Sequence, residues 1–192
     1  MQLFGPLYDR VLHWASHPKA RWYLAGLSFA ESSFFPVPPD VMLAPMTLAR
    51  PADGFRLALI TTVASVAGGL AGYAIGYFAL DFIEPWMQQA GHWDGYLQAR
   101  GWFERWGFLA VLAAGFSPIP YKLFTIASGA LAMFLPAFVV ASFIGRAARF
   151  YLVAGLISWG GPTMQVKLRR NVEIIGWLTL AVIVLIFLFL NF

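Results

Sequence analysis

From Leu57 to Leu80 the chain runs for 24 residues without a charged side chain. At about 1.5 Å rise per residue such a helix measures roughly 36 Å, more than the ~30 Å hydrocarbon core of a bilayer. A soluble protein would have to bury that helix on every side, and this chain cannot supply the polar cover. Only 11% of its residues are charged and 60% are hydrophobic, whereas soluble domains carry about 25% charged residues. The expected solvent is lipid, and the expected class is an all-α polytopic membrane protein. At 192 residues it has room for one compact membrane domain and no separate soluble one.

Two further apolar stretches are interrupted by proline. Residues 22–49 carry only Glu31 and Asp40 as charges, and Phe-Pro-Val-Pro-Pro-Asp cuts them in two. Pro36, Pro38 and Pro39 each lack a backbone donor, so no helix runs through them. The arms, Trp22 to Phe34 and Val41 to Ala49, give roughly 20 and 14 Å, too short to cross. A re-entrant hairpin with its tip near mid-membrane fits, since non-helical backbone at that depth must be buried in protein or line a wet cavity. Residues 107–135 repeat the plan: a short apolar arm, a Ser-Pro-Ile-Pro-Tyr-Lys break at Pro118 and Pro120, and a second arm from Leu123 to Leu135. Laying the two breaks over each other aligns two prolines and sets Asp40 opposite Lys122.

The rest of the chain frames these hairpins. Residues 1–18 read as an amphipathic interfacial helix, with Phe4, Leu7, Val11, Trp14 and Ala15 on one side and Asp9, Arg10, His13 and His17 on the other. Residues 81–106, polar and rich in aromatics, read as an interfacial segment. Pro136 to about Gly161 and Ile174 to Phe192 make further spans, joined by a basic turn holding Lys167, Arg169 and Arg170. The expected organisation is an N-terminal interfacial segment at 1–21, a membrane domain at 22–161 with re-entrant hairpins at 22–49 and 107–135, and a basic turn with a C-terminal transmembrane helix at 162–192. That makes about three full transmembrane helices. No cleavable signal is read, because Glu31 follows the first apolar run and no A-x-A site does. Residues 1–21, 50–56 and 162–173 fall on one side and hold eight Lys and Arg, against two on the other. The positive-inside rule then puts the N-terminus in the cytoplasm and the C-terminus outside. The hairpins would enter from opposite faces, an inverted repeat with broken elements meeting at the midplane.

Ionisable groups at membrane depth need a partner or a task. Burial disfavours a charged carboxylate, so Glu31 could load and release a proton; it could equally accept hydrogen bonds from the broken backbone, or pair with an arginine, and never titrate. Asp40 and Lys122 sit at the two tips and are expected to pair, while Asp40 also suits an N-cap. Arg146 and Arg149, three apart, share a helix face. Facing a cavity they would suit a phosphate; alternatively one pairs with Glu31 or Asp40 and the other snorkels to the interface. Gly68, Gly69, Gly72 and Gly76 form a small-residue face for helix packing, which serves internal contacts or a homodimer equally well.

Enzyme signatures are poor. Cysteine is absent, which excludes disulfides, thiolate metal sites and cysteine nucleophiles. His13, His17 and His92 are the only histidines and lack metal-ligand spacing. Neither a G-x-S-x-G nor a glycine-rich phosphate loop occurs. The expectation is no catalysis, no metal, no cofactor and no nucleic-acid partner; the net charge of +4 reflects cations held at cytoplasmic ends.

Four ordered blocks carry a family resemblance over roughly residues 23–160. They are E-S-S-F-F-P-V-P-P-D-V-M-L-A-P-M at 31–46, A-G-G-L-A-G-Y-A-I-G-Y at 67–77, F-S-P-I-P-Y-K-L-F-T-I-A-S-G at 116–129 and G-R-A-A-R-F at 145–150. The chain resembles the DedA family (the VTT or SNARE-associated Golgi protein family), in its YqaA-type branch. That resemblance implies two opposed re-entrant hairpins, a bacterial inner-membrane location, and movement of lipids between leaflets. The cargo would be a phospholipid or undecaprenyl phosphate, with dependence on proton motive force. The family's acidic residues map onto Glu31 and Asp40. Its R-F-x-P-x-x-R pattern is here Gly115-Phe116-Ser117-Pro118 followed by Lys122, and our reading assigns the missing cationic charge to Arg146 and Arg149. The function expected is a lipid transporter or scramblase. The alternatives are a proton-coupled carrier of a small soluble solute and a structural protein of membrane homeostasis.

Overall fold

The computed structural model describes residues 14–15, 17, 19–35, 37–117 and 120–160. The expected amphipathic helix at 1–18 lies almost wholly, and the basic turn and last span lie wholly, outside the described residues, as do Pro36 and Pro118. Every element among the described residues is helical. They are α1 (Ala20–Ser33), α2 (Asp40–Ala49), a 3-10 turn (Pro51–Asp53), α3 (Gly54–Gln89), α4 (Trp93–Phe116), α5 (Tyr121–Ala130) and α6 (Leu135–Gly160). The helix carrying α3 and α6 itself are each long and apolar enough to cross a membrane.

α1 stops where its sequence stops it. Phe34 and Phe35 both donate backbone N–H to the Ala30 carbonyl, and the proline run follows. α2 begins behind Pro39, with Asp40 in its first turn. There Asp40 is a first-turn residue and not a side-chain cap; the N-cap position is held by Pro39, without a side-chain hydrogen bond.

Small residues decide how the helices meet. Ala20, Leu24, Ser28 and Ser32, four apart, form the buried face of α1. They pack on α3 in parallel: Ser28 Oγ donates to the Thr61 carbonyl at 2.8 Å, and Ser33 Oγ to that of Gly68 at 2.9 Å. α5 also runs parallel to α3, with Tyr121 beside Gly69, Thr125 beside Gly72 and Gly129 against the Tyr73 backbone. α6 runs antiparallel: Tyr73 meets Phe138, Arg146 meets Ser65, Phe55 stacks on Tyr151, and Ser158 Oγ donates to the Pro51 carbonyl. At the crossing of α4 and α6, Gly115 and Gly145 lie against each other's backbone.

α1 and α2 thus fold back on each other around residues 34–39, and α4 and α5 do so around residues 117–120. The two breaks lie at the middle of α3 and α6, and the two pairs open toward opposite ends of α3. One apolar cluster, around Leu24, Leu43, Met46, Leu57, Phe150 and Ala154, fills the first opening. Another, around Phe103, Val111, Met133, Phe138 and Ala141, fills the second.

Two boundaries differ from the sequence reading. Residues 81–106 are divided between two long helices. α3 continues through Pro85 to Gln89, a turn around Gly91 (φ +72°) reverses the chain, and α4 starts at Trp93. The first arm of the second pair is therefore 24 residues long, not the ten of residues 107–116. Its second arm ends at Ala130, five residues early, in a turn where Ala132 adopts φ 50°.

Candidate functional site

The polar residues converge where the two breaks meet. Arg146 on α6 is 2% exposed, the largest of the fully buried side chains. Its Nη2 donates to Glu31 Oε2 at 2.6 Å and its Nε to Ser65 Oγ at 2.5 Å. Ser65 and Ser32 share a 2.7 Å hydrogen bond, and Ser32 Oγ donates to Glu31 Oε2 at 3.1 Å. These contacts close a ring. Ser32 donates its one hydroxyl proton to the carboxylate, so in the Ser32–Ser65 bond Ser65 is the donor, while it accepts from the guanidinium. The faces of the guanidinium are covered as well, with the Tyr121 ring at 4.8 Å and the Phe150 ring at 4.7 Å. A buried charge is tolerable when it is both paired and hydrogen-bonded. Arg146 has both, and cation–π contact besides.

One turn further along α6, Arg149 bridges the two breaks. Its Nη2 donates to Asp40 Oδ2 at 2.6 Å, and its Nη1 to the Ser117 carbonyl at 2.8 Å. Asp40 sits in the first turn of α2, where the helix dipole favours an anion. Its Oδ1 is buried without a hydrogen-bond partner. This pair is wetter than the first, with side chains 22% and 24% exposed against 2% and 14%.

Asp40 therefore takes Arg149 as its partner, not Lys122. The Lys122 amine instead reaches to 3.5 Å from the Phe34 carbonyl at the end of α1, where the broken backbone leaves an acceptor. Both arginines are held by carboxylates. Of the break prolines, Pro38, Pro39 and Pro120 fall in the described residues and flank these contacts. The glycine face divides its work. Gly68 lies against the Phe29 backbone of α1, Gly76 against Ile126 of α5, and Gly69 and Gly72 against the Tyr121 and Thr125 side chains. Among the described residues no three of His, Asp and Glu converge as metal ligands would.

Sequence reasoning missed Ser65, Ser32, Tyr121 and Phe150. A serine inside an apolar span is a faint signal on its own. Ser65 gains meaning only through the parallel packing that sets it beside Ser32, 33 positions away.

A family model of the VTT domain matches residues 37–158. The chain is 46% identical to an uncharacterized protein of Haemophilus influenzae and 44% identical to one of Histophilus somni, over the whole of both chains in each case. It is 26% identical to an uncharacterized protein of Methanocaldococcus jannaschii over 66% of this chain and 77% of that one. No solved structure matches.

Proposed function

The chain belongs to the VTT-domain (DedA) family, and on that premise we propose that it is an integral membrane lipid transporter or scramblase. In this reading α1–α2 and the α4–α5 pair are opposed re-entrant hairpins whose tips meet near the bilayer midplane. α1 and α2, at 14 and 10 residues, reach only about 21 and 15 Å, half a bilayer each. The membrane would be the bacterial inner membrane, with the N-terminus in the cytoplasm.

The observation that carries the reading is the pair of ion pairs at the meeting point of the breaks. Charges placed there in an apolar protein call for a task as well as a partner. A lipid phosphate presents the same oxygen geometry to a guanidinium as a carboxylate does. The more exposed Arg149 would exchange Asp40 for the headgroup phosphate, Lys122 would add its charge at the tip, and Arg146 would follow. Protonation of Asp40 and Glu31 would keep the displaced carboxylates from repelling the phosphate and couple the step to a proton gradient. The acyl tails would stay in the bilayer. The cargo is a phospholipid or a polyprenyl-phosphate carrier such as undecaprenyl phosphate.

The test is reconstitution of the protein and its Glu31→Gln variant in liposomes, following a fluorescent phospholipid between leaflets with and without a pH gradient. Wild type should move the lipid and the variant should not. Gradient dependence separates coupled transport from scrambling. Equal movement by a folded variant would overturn the role given to the charges, and no movement of either phospholipid or polyprenyl phosphate would overturn the lipid reading.

A further inference from the structure

A second cationic site lies away from the crossed breaks, at the end of the bundle where α1 and α2 open. A hollow of about 170 Å³ there is lined by Arg21, Arg50, Arg56, His17 and Asp53, floored by Leu57 and Met46. Arg21 and Arg56 set two guanidiniums against the one carboxylate, Asp53, among the described lining residues. Beside it a second hollow of about 280 Å³ is lined by Arg21, Trp22, Arg56 and Ile60. The two share Arg21 and Arg56, so a polar chamber and a part-apolar groove meet at a pair of guanidiniums. Neither Arg21 nor Arg56 takes part in an ion pair among the described residues. Arg21 instead lies 5.9 Å over the Trp22 ring.

The surroundings fit a membrane interface. Trp22, Tyr23, Trp14 and Phe55 are all exposed at this end of the bundle, and tryptophan and tyrosine favour the headgroup level. Arginine that is not ion-paired, set between a polar chamber and an apolar groove, matches an amphiphile with a phosphate at the junction. The headgroup would enter the chamber and the acyl chain would lie along Trp22 and Ile60. Asp53 in the same chamber biases the headgroup toward one with its own donor, a hydroxyl or an ammonium.

We propose that Arg21 and Arg56 form a docking site for the phosphate of a membrane glycerophospholipid at the end of the protein where α1 and α2 open. The site rests on the membrane reading above but not on transport, because it lies outside the ion pairs. Anionic phospholipid gains about one favourable increment per basic residue at the surface, so loss of both arginines should weaken binding about thirtyfold.

The test is native mass spectrometry of the detergent-purified full chain titrated with phosphatidylglycerol, for wild type, R21Q/R56Q and R105Q, the last an exposed arginine outside both hollows. Inorganic phosphate is added as competitor in a parallel series. The expected result is phosphatidylglycerol bound by wild type and R105Q alike and weakened in R21Q/R56Q, with gel filtration unchanged and no competition by millimolar phosphate. Binding by R21Q/R56Q equal to wild type, or an equal loss in R105Q, would overturn the site. Full competition by inorganic phosphate would overturn its assignment to a lipid. The readout is equilibrium binding, so failure of the transport reading in the liposome assay leaves this inference standing.

Discussion

Replacing Glu31 alone and replacing Glu31 with Arg146 together should have opposite consequences for the fold and the same consequence for transport. In Glu31→Gln the amide can still accept from Arg146 Nη2, but the guanidinium, 2% exposed, loses its counter-charge. Removing one member of a buried pair costs about 3–5 kcal/mol. The Tyr121 and Phe150 rings, at 4.8 and 4.7 Å, contact the guanidinium in both proteins and cancel in the difference. For a chain of this length each kcal/mol is worth about 2–4 °C, so the apparent melting temperature in detergent should fall by roughly 6–20 °C. The Glu31→Leu/Arg146→Met double variant has no charge to leave stranded. Ser32 and Ser65 keep their mutual hydrogen bond, and apolar replacement of a buried pair is often neutral or stabilising. Its stability should return to within about 1 kcal/mol of wild type, giving a coupling energy of several kcal/mol in the double-mutant cycle. If transport depends on these charges, the double variant stays inactive although it is stable. A double variant as unstable as Glu31→Gln would refute the pairing energetics, and a stable double variant that moves lipid would refute the transport role.

The remaining expectations concern the same architecture. Asp40→Asn should cost only about 0.5–1.5 kcal/mol, because its pair with Arg149 is partly exposed and Arg149 keeps the Ser117 carbonyl; thermal unfolding in detergent compares it with Glu31→Gln. Gly76→Ala and Gly129→Ala should each destabilise by about 1–3 kcal/mol, since a Cβ there would press on the backbone of Ile126 or Tyr73. Gly101→Ala, with nothing near its Cβ, should stabilise α4 by up to about 1 kcal/mol. Ala132→Gly should be stabilising by about 0.5–1 kcal/mol, because a left-handed φ of 50° suits glycine. The chain has no cysteine, so Ala52→Cys and Gln98→Cys, both at exposed positions, should react with an impermeant maleimide from opposite sides of the membrane; labelling from the same side would refute the assigned topology.

Most of what can be read locally is written in the chain. A single proline is carried inside a helix here, as Pro45 and Pro85 are, but Pro36, Pro38 and Pro39 in close succession, and Pro118 with Pro120, remove several donors within one turn, so the chain breaks near residues 34–39 and 117–120 and the arms around the first break are short. Charges are rare in an apolar sequence, so Glu31, Asp40, Lys122, Arg146 and Arg149 stand out without a structure. The helix boundaries at 81–106 were misjudged for a physical reason: polarity sets which surroundings a segment prefers, while the helical backbone bonds four residues away regardless, and α3 and α4 simply continue through that region. Only tertiary structure could choose the partners. Glu31 and Arg146 are 115 positions apart, Asp40 and Arg149 are 109 apart, and nothing local to either end favours these pairs over Asp40 with Lys122. The choice follows from the glycine and serine faces that run α1 and α5 parallel to α3 while α6 runs against it. That arrangement brings one turn of α6 across both breaks, and so it also brings Ser65 and Ser32, unremarkable in sequence, into the ring that holds the buried guanidinium.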